Sequence, residues 1–209
     1  CPMAHMVTVD RIKEVREQYD DVAVVCYVNS TAEIKAVSDV CVTSSNAIKV
    51  VKNIKNKRIF FVPDNNLGRY VAKQLPEKEF IFNDGFCHVH KSIDPKLVAE
   101  AKEHHPDALV LAHPECTEDV LELADFIGST AGILDYATES KCKKFIICTE
   151  MGIFFKLSKQ NPDKKFYSVG HRQFCPNMKK VSLEKVAAVM ENPTEEVLLS
   201  DDIMNEACK

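Results

Sequence analysis

The chain repeats itself at a step of 86 residues, and this repeat limits its fold more tightly than any other feature. Val24-Val25-Cys26-Tyr27-Val28-Asn29-Ser30-Thr31-Ala32-Glu33 lies over Val110-Leu111-Ala112-His113-Pro114-Glu115-Cys116-Thr117-Glu118-Asp119. Ser38-Asp39-Val40 lies over Ala124-Asp125-Phe126, Thr43-Ser44 over Ser129-Thr130, and Lys78-Glu79-Phe80 over Lys164-Lys165-Phe166, all at the same step. Three cysteines nearly keep it: 86 residues separate Cys1 from Cys87, and 88 separate Cys87 from Cys175. A repeat places equivalent residues at equivalent points in space. Cys1, Cys87 and Cys175 therefore mark the ends of units, and three units around a pseudo-threefold axis would bring three thiols together. Cys1 stands where a first unit should already have finished.

Within each unit, apolar runs alternate with amphipathic segments. Val22 to Val28 is a continuous apolar run with β-branched residues, as in a strand buried on both faces. Val40–Val42, Arg58–Val62 and Glu79–Phe82 read as three more strands, with helices over Asp10–Tyr19, Thr31–Val37, Ser44–Ile54 and Leu67–Gln74. The second unit repeats the order, with strands at Ala108–Ala112, Phe126–Ile127, Lys144–Cys148 and Phe166–Ser168. This alternation predicts parallel sheets covered on both faces. The expected fold class is α/β, with two repeated small three-layer αβα domains, each holding a parallel four-stranded sheet. The expected division is 1–7 as the end of a missing first repeat, 8–86 and 87–174 as two α/β repeats, and 175–209 as the third cysteine with a helical tail. That tail, around Ser182–Ala188, would need a partner unit to pack on.

Composition excludes some functions. A net charge of −4 gives no basic stripe for nucleic acid. No apolar run reaches the length of a membrane span, and the longest are of buried-strand length. Nine cysteines are many for 209 residues, and the odd number forbids complete internal pairing. A reducing cytoplasm fits, with some thiols committed to a metal. Cys26, Cys41 and Cys148 lie in apolar runs and read as small buried hydrophobes.

Ligands of open parallel sheets bind beyond the carboxyl ends of the strands. Tyr27 and Asn29 end the first strand of unit one, and His113 and Glu115 are their repeat equivalents. Alternation along a strand sends both members of each pair to one side, so phenol, amide, imidazole and carboxylate would meet at one cleft. Thr43-Ser44-Ser45-Asn46 and Gly128-Ser129-Thr130-Ala131-Gly132 each follow a short strand and open a helix, where unpaired N–H groups and hydroxyls suit a phosphate or carboxylate. Each could equally be a helix cap without a ligand. Three thiolates could hold three irons of a [4Fe–4S] cube and leave the fourth open as a Lewis acid. A competing reading places zinc on Cys87, His88 and His90.

At these residues the chain closely resembles the quinolinate synthase family. The marks are Cys1-Pro2-Met3-Ala4, Tyr27-Val28-Asn29-Ser30-Thr31-Ala32-Glu33, Pro63-Asp64-Asn65-Asn66-Leu67-Gly68, His113-Pro114-Glu115-Cys116, Ile127-Gly128-Ser129-Thr130-Ala131-Gly132, Cys148-Thr149-Glu150-Met151-Gly152 and Cys175-Pro176-Asn177-Met178-Lys179. The resemblance implies three pseudo-threefold-related domains around a [4Fe–4S] cluster held by Cys1, Cys87 and Cys175. It implies a condensing, dehydrating transferase of NAD biosynthesis that joins iminoaspartate to dihydroxyacetone phosphate, giving quinolinate, phosphate and water. Iminoaspartate would come from L-aspartate oxidase or aspartate dehydrogenase. By motif, Tyr27, Asn29, His113 and Glu115 would surround the substrate, Ser44, Ser129 and Thr130 would hold its phosphate, and Met178 would line the site. The family also has a domain before Cys1 and a terminal segment after Lys209. A different class remains open: a non-catalytic two-lobed module for a small phosphorylated or dicarboxylic ligand.

Overall fold

The computed structural model describes residues 1–170, 173–194 and 196–207. A short 3-10 turn (Pro2–His5) is followed by α1 (Val9–Gln18), β1 (Val22–Tyr27), α2 (Ala32–Ala36), β2 (Val40–Val42), α3 (Ala47–Asn53), β3 (Arg58–Val62), α4 (Asn65–Gln74) and β4 (Glu79–Phe82). Then come α5 (His88–Lys91), α6 (Pro95–His104), β5 (Leu109–Ala112), α7 (Glu118–Glu122), β6 (Phe126–Ile127), α8 (Thr130–Glu139), β7 (Lys144–Cys148), α9 (Ile153–Gln160) and β8 (Lys165–Ser168). The tail carries α10 (Leu183–Glu191) and α11 (Asp201–Ala207).

The strands form two four-stranded parallel sheets, ordered β2-β1-β3-β4 and β6-β5-β7-β8. The expected α/β class with two repeated parallel sheets is therefore what the chain adopts. Even the register repeats: Val24 pairs with Phe60, and Val110 with Ile146. All six residues of β1 are buried. Val24 and Cys26 face one side with Phe60, Val62 and Ile12, while Val25 and Tyr27 face the other with Ile59, Phe61 and Leu67. That two-sided burial is why β1 reads as an unbroken apolar run rather than an alternating one.

Polar anchors repeat as well. Asp39 accepts the Val24 N–H at 2.6 Å, and Asp125 accepts the Val110 N–H at 2.7 Å. The Lys78 ammonium donates to the Ile54 and Asn56 carbonyls beyond α3, at 2.5 and 2.8 Å. Its equivalent, Lys164, donates to the Ala137, Thr138 and Ser140 carbonyls at the C-terminal end of α8, at 2.6, 3.0 and 2.8 Å. Cations at helix C-termini satisfy carbonyls that have no partner within the helix.

Three expectations change. The helix expected from Ser44 begins at Ala47, because the Asn46 side chain turns back to accept the Thr43 N–H at 2.7 Å and leaves Ser44 and Ser45 in a turn. Cys41 is exposed, since β2 is an edge strand; Cys26 and Cys148 are fully buried as expected. The helices α5 and α11 were not among the expected elements. α10 shows Leu183, Val186, Val189 and Met190 to solvent. Among the described residues, no helix is long and apolar enough to cross a membrane.

Candidate active site between the sheets

The carboxyl ends of both sheets open on one cavity of about 450 Å³. Cys1, Cys87 and Cys175 all line it, together with Tyr27, Asn29, His113, Glu115, Thr130 and Met178. Thus residues 86 and 88 apart in sequence meet at one place, as the repeat required. The eight described cysteines are free thiols, and Cys208 lies outside the described residues. Two of the expected residues stand back from the cavity wall. Ser44 lies behind His113, whose Nε2 is 3.3 Å from the Ser44 hydroxyl. Ser129 caps α8, accepting the Gly132 N–H at 3.1 Å, while Thr130 beside it faces the cavity.

Glu115 lies at the centre and is almost fully buried. Its Oε2 is 2.8 Å from His90 Nδ1. The approach is not aligned for a ring N–H hydrogen bond, so Nδ1 is left without a well-formed partner in a buried position. His90 Nε2 sits 2.9 Å from the Thr149 hydroxyl, and the His90 ring stacks on His113 with centroids 4.6 Å apart. His113 Nδ1 accepts the Glu115 N–H at 3.3 Å, so its proton resides on Nε2, toward Ser44. The Asn66 side chain, at the start of α4, donates to the Glu115 carbonyl at 3.1 Å and ties the first unit to the second.

Burial and this close packing of groups set the charges. Burial pushes the Glu115 carboxyl up, but the close approach and charge of His90, with His113 and Tyr27, overcome it and bring it down to about 2. Burial, with His90 adding to it, lowers His113 to about 4, so its ring is neutral at physiological pH. Burial first, then the Glu115 charge, raises the Tyr27 phenol, lifts the Cys87 thiol to about 12 and lifts Asp64 to about 7. The site therefore sets an ionised Glu115 carboxylate beside a neutral His113 imidazole and a Tyr27 phenol and Cys87 thiol that keep their protons.

Cys87, His90 and Glu115 place ligand atoms within 4.8 Å of one another, a mixed sulfur, nitrogen and oxygen set able to hold a metal ion. The zinc alternative named His88 in this role. His88 lines the cavity, but Glu115 and not His88 completes the close set. Thr149, Glu150 and Asp64 were missed as site residues, and His90 entered only through the zinc alternative. His90 follows Cys87 by three residues, one turn of α5, and that spacing was the available signal.

Comparison with known proteins then settles the family. The family model described as quinolinate synthetase A protein matches residues 1–209. The chain belongs to the quinolinate synthetase A protein family. It is 50% identical over 209 residues to a quinolinate synthase of Caldicellulosiruptor saccharolyticus, covering 100% of this chain and 69% of the relative. Identity to a quinolinate synthase of Clostridioides difficile is 48% over 207 residues, covering 99% of this chain and 68% of the relative. For Fusobacterium nucleatum it is 49% over 207 residues, covering 99% and 69%. The earlier resemblance to this family is thereby borne out.

The three-thiol set fits an iron–sulfur cluster of the kind expected for the family. Thiolates are the usual protein ligands of such clusters. Three free cysteines share one cavity, and His90 Nδ1 is a buried polar atom short of a partner. A separate open groove of about 480 Å³ beside β8, lined by Leu97, His105 and Tyr167, carries neither a thiol nor a buried acid.

Proposed function

We propose that this chain carries out the quinolinate synthase reaction, condensing iminoaspartate with dihydroxyacetone phosphate to quinolinate with loss of phosphate and water. One observation carries the reading: three repeat-related cysteines converge on the cavity that also holds Tyr27, Asn29, His113 and Glu115. Cys1, Cys87 and Cys175 would hold a [4Fe–4S] cluster, which would supply Lewis-acid chemistry in the cavity. The other steps belong to side chains. Thr130, with the N-terminal end of α8, holds the phosphate and stabilises it as it leaves; Ser129 preforms that helix end, and Ser44 braces His113. Ionised Glu115 accepts the proton lost from carbon. Neutral His113 donates from Nε2 to a developing oxygen. Tyr27 and Asn29 orient the carboxylates, and Met178, exposed at the mouth, covers bound substrate.

The reaction needs an unstable imine, so an enzyme that oxidises aspartate must supply it; L-aspartate oxidase or aspartate dehydrogenase has that chemistry. We place the chain in the cytoplasm, where nine thiols stay reduced. A second reading, a mononuclear metal on Cys87, His90 and Glu115, is favoured by their mutual distances. Anaerobic reconstitution followed by iron, sulfide and zinc analysis separates the two. About four irons and four sulfides per chain, with quinolinate formed from the two substrates, support the cluster. Zinc uptake alone supports the mononuclear site. A colourless chain that binds phosphate and turns nothing over supports the two-lobed binding module.

A further inference from the structure

The loops that carry Cys87 and Cys175 are built on one plan, and its central member is a buried carboxylate without a role so far. Asp64 and Glu150 stand 86 residues apart, directly after β3 and β7. Asp64 Oδ2 accepts the Cys87 N–H at 2.9 Å, while Oδ1 accepts the Leu67 N–H at 2.7 Å in the first turn of α4. Glu150 Oε1 accepts the Cys175 N–H at 3.2 Å, while Oε2 accepts the Gly152 N–H at 2.6 Å as α9 begins. Each carboxylate therefore joins a helix start to a cysteine 23 or 25 residues further on.

The surrounding contacts repeat too. A buried amide donates to the carbonyl just before each carboxylate: Asn83 to Pro63 at 2.9 Å, and Gln173 to Thr149 at 2.7 Å. The residue after each carboxylate donates its N–H back to the cysteine loop: Asn65 to Gly85 at 2.8 Å, and Met151 to Gln173 at 2.9 Å. Unit two has two extra residues between its last strand and its cysteine, which is why the cysteine step is 88 and not 86. Its carboxylate is the longer glutamate, with one more methylene to span that loop.

Resting on the cluster reading above, we infer that Asp64 and Glu150 are positioning residues: each holds a cluster cysteine in place before any metal arrives. The chemistry demands a carboxylate. Two N–H donors from different elements converge on it, and both of its oxygens accept. An amide of the same shape offers one oxygen and turns an NH₂ donor toward the other N–H. Support behind the direct ligands is commonly worth 10- to 100-fold in metal affinity.

The test uses Asp64→Asn and Glu150→Gln in the 209-residue chain. In metal-free protein, amide hydrogen exchange is read at Cys87 and Cys175. After anaerobic reconstitution, iron loss to a ferrous chelator is timed. Asp64→Asn is expected to speed exchange at Cys87 by roughly 10- to 100-fold and to leave Cys175 unchanged, and Glu150→Gln to do the reverse. Each variant is expected to lose iron about 10- to 100-fold faster than the parent. Exchange that is unchanged, or that rises at both cysteines together, overturns the inference, because general loosening of the fold would affect both. Unchanged iron loss from a loaded parent also overturns it while sparing the cluster reading. A parent that takes up no iron and sulfide overturns the cluster reading itself, and the exchange pattern then decides only whether the loops are clamped. If Asp64→Asn does not fold, the Glu150→Gln arm decides alone.

Discussion

Replacing Gly85 with alanine would press directly on the contact between the Cys87 loop and the exit of β3. A Cβ at this position would stand 2.3 Å from the Pro63 carbonyl oxygen, 3.0 Å from Asn83 Nδ2 and 3.1 Å from Met6 Cβ. The closest of these is backbone on a buried strand end, so no side chain can swing away. The two segments must part by about 1 Å to reach ordinary contact. That movement carries the Asn65 N–H to Gly85 carbonyl bond from 2.8 Å, and the Asn83 to Pro63 bond from 2.9 Å, past hydrogen-bonding range. Losing two such bonds costs about 1 kcal/mol each. Overpacking adds about 1–3 kcal/mol. The sum is about 3–5 kcal/mol, a fall in melting temperature of roughly 6–20 °C for a chain of this size. Thermal unfolding of metal-free protein, followed by circular dichroism, reads it. Gly68→Ala is the internal comparison: the nearest atoms to its added Cβ belong to the Phe61 side chain, from 3.1 Å, and not to backbone, so a few tenths of an ångström of movement suffice. A Gly85→Ala chain that melts with the parent, or no lower than Gly68→Ala, refutes the reasoning.

Glu115→Gln keeps the shape of the central acid and removes its charge, so quinolinate formation should fall by at least about 100-fold with the cluster retained; full turnover would remove Glu115 as the base. Lys164→Met strips three carbonyls at the C-terminal end of α8 of their donor and should cost about 1–2 kcal/mol in urea unfolding, while an unchanged midpoint would show that water replaces the ammonium at no cost. Burial raises the Cys148 thiol from about 9 to about 12. The unfolded chain therefore releases this proton above pH 9 while the folded chain keeps it. The stabilisation it gives is complete below pH 9 and is lost as pH climbs toward 12. The stability gap between parent and Cys148→Ala should accordingly narrow from pH 8 to pH 10.5 in urea titrations, and a constant gap would contradict the burial argument.

The strands were legible because burial on both faces writes a local signature: apolar runs rich in β-branched residues at Val22–Tyr27 and within Lys144–Cys148, bounded by polar turns. The 86-residue step was legible for the same reason, since equivalent strands keep equivalent side chains. It carried the three thiols, Tyr27, His113 and Glu115 to one cavity without any coordinates. Ser44 was placed less well. Its turn precedes the helix, because one local hydrogen bond from Thr43 to Asn46 outweighed the run of cap-forming residues.

What the amino-acid sequence determined alone is the order of elements, the parallel sheets and the meeting point of the three cysteines. Only the tertiary structure decided that His90 would lie against Glu115, that Glu150 and Asp64 would grip cysteine loops, and which hydroxyl would face the cavity. The difference is physical. Burial of apolar side chains recurs with the period of the backbone and can be read along the chain. A hydrogen bond between polar groups 23 or 25 residues apart depends on ångström-scale placement of separate elements, and it leaves no period behind.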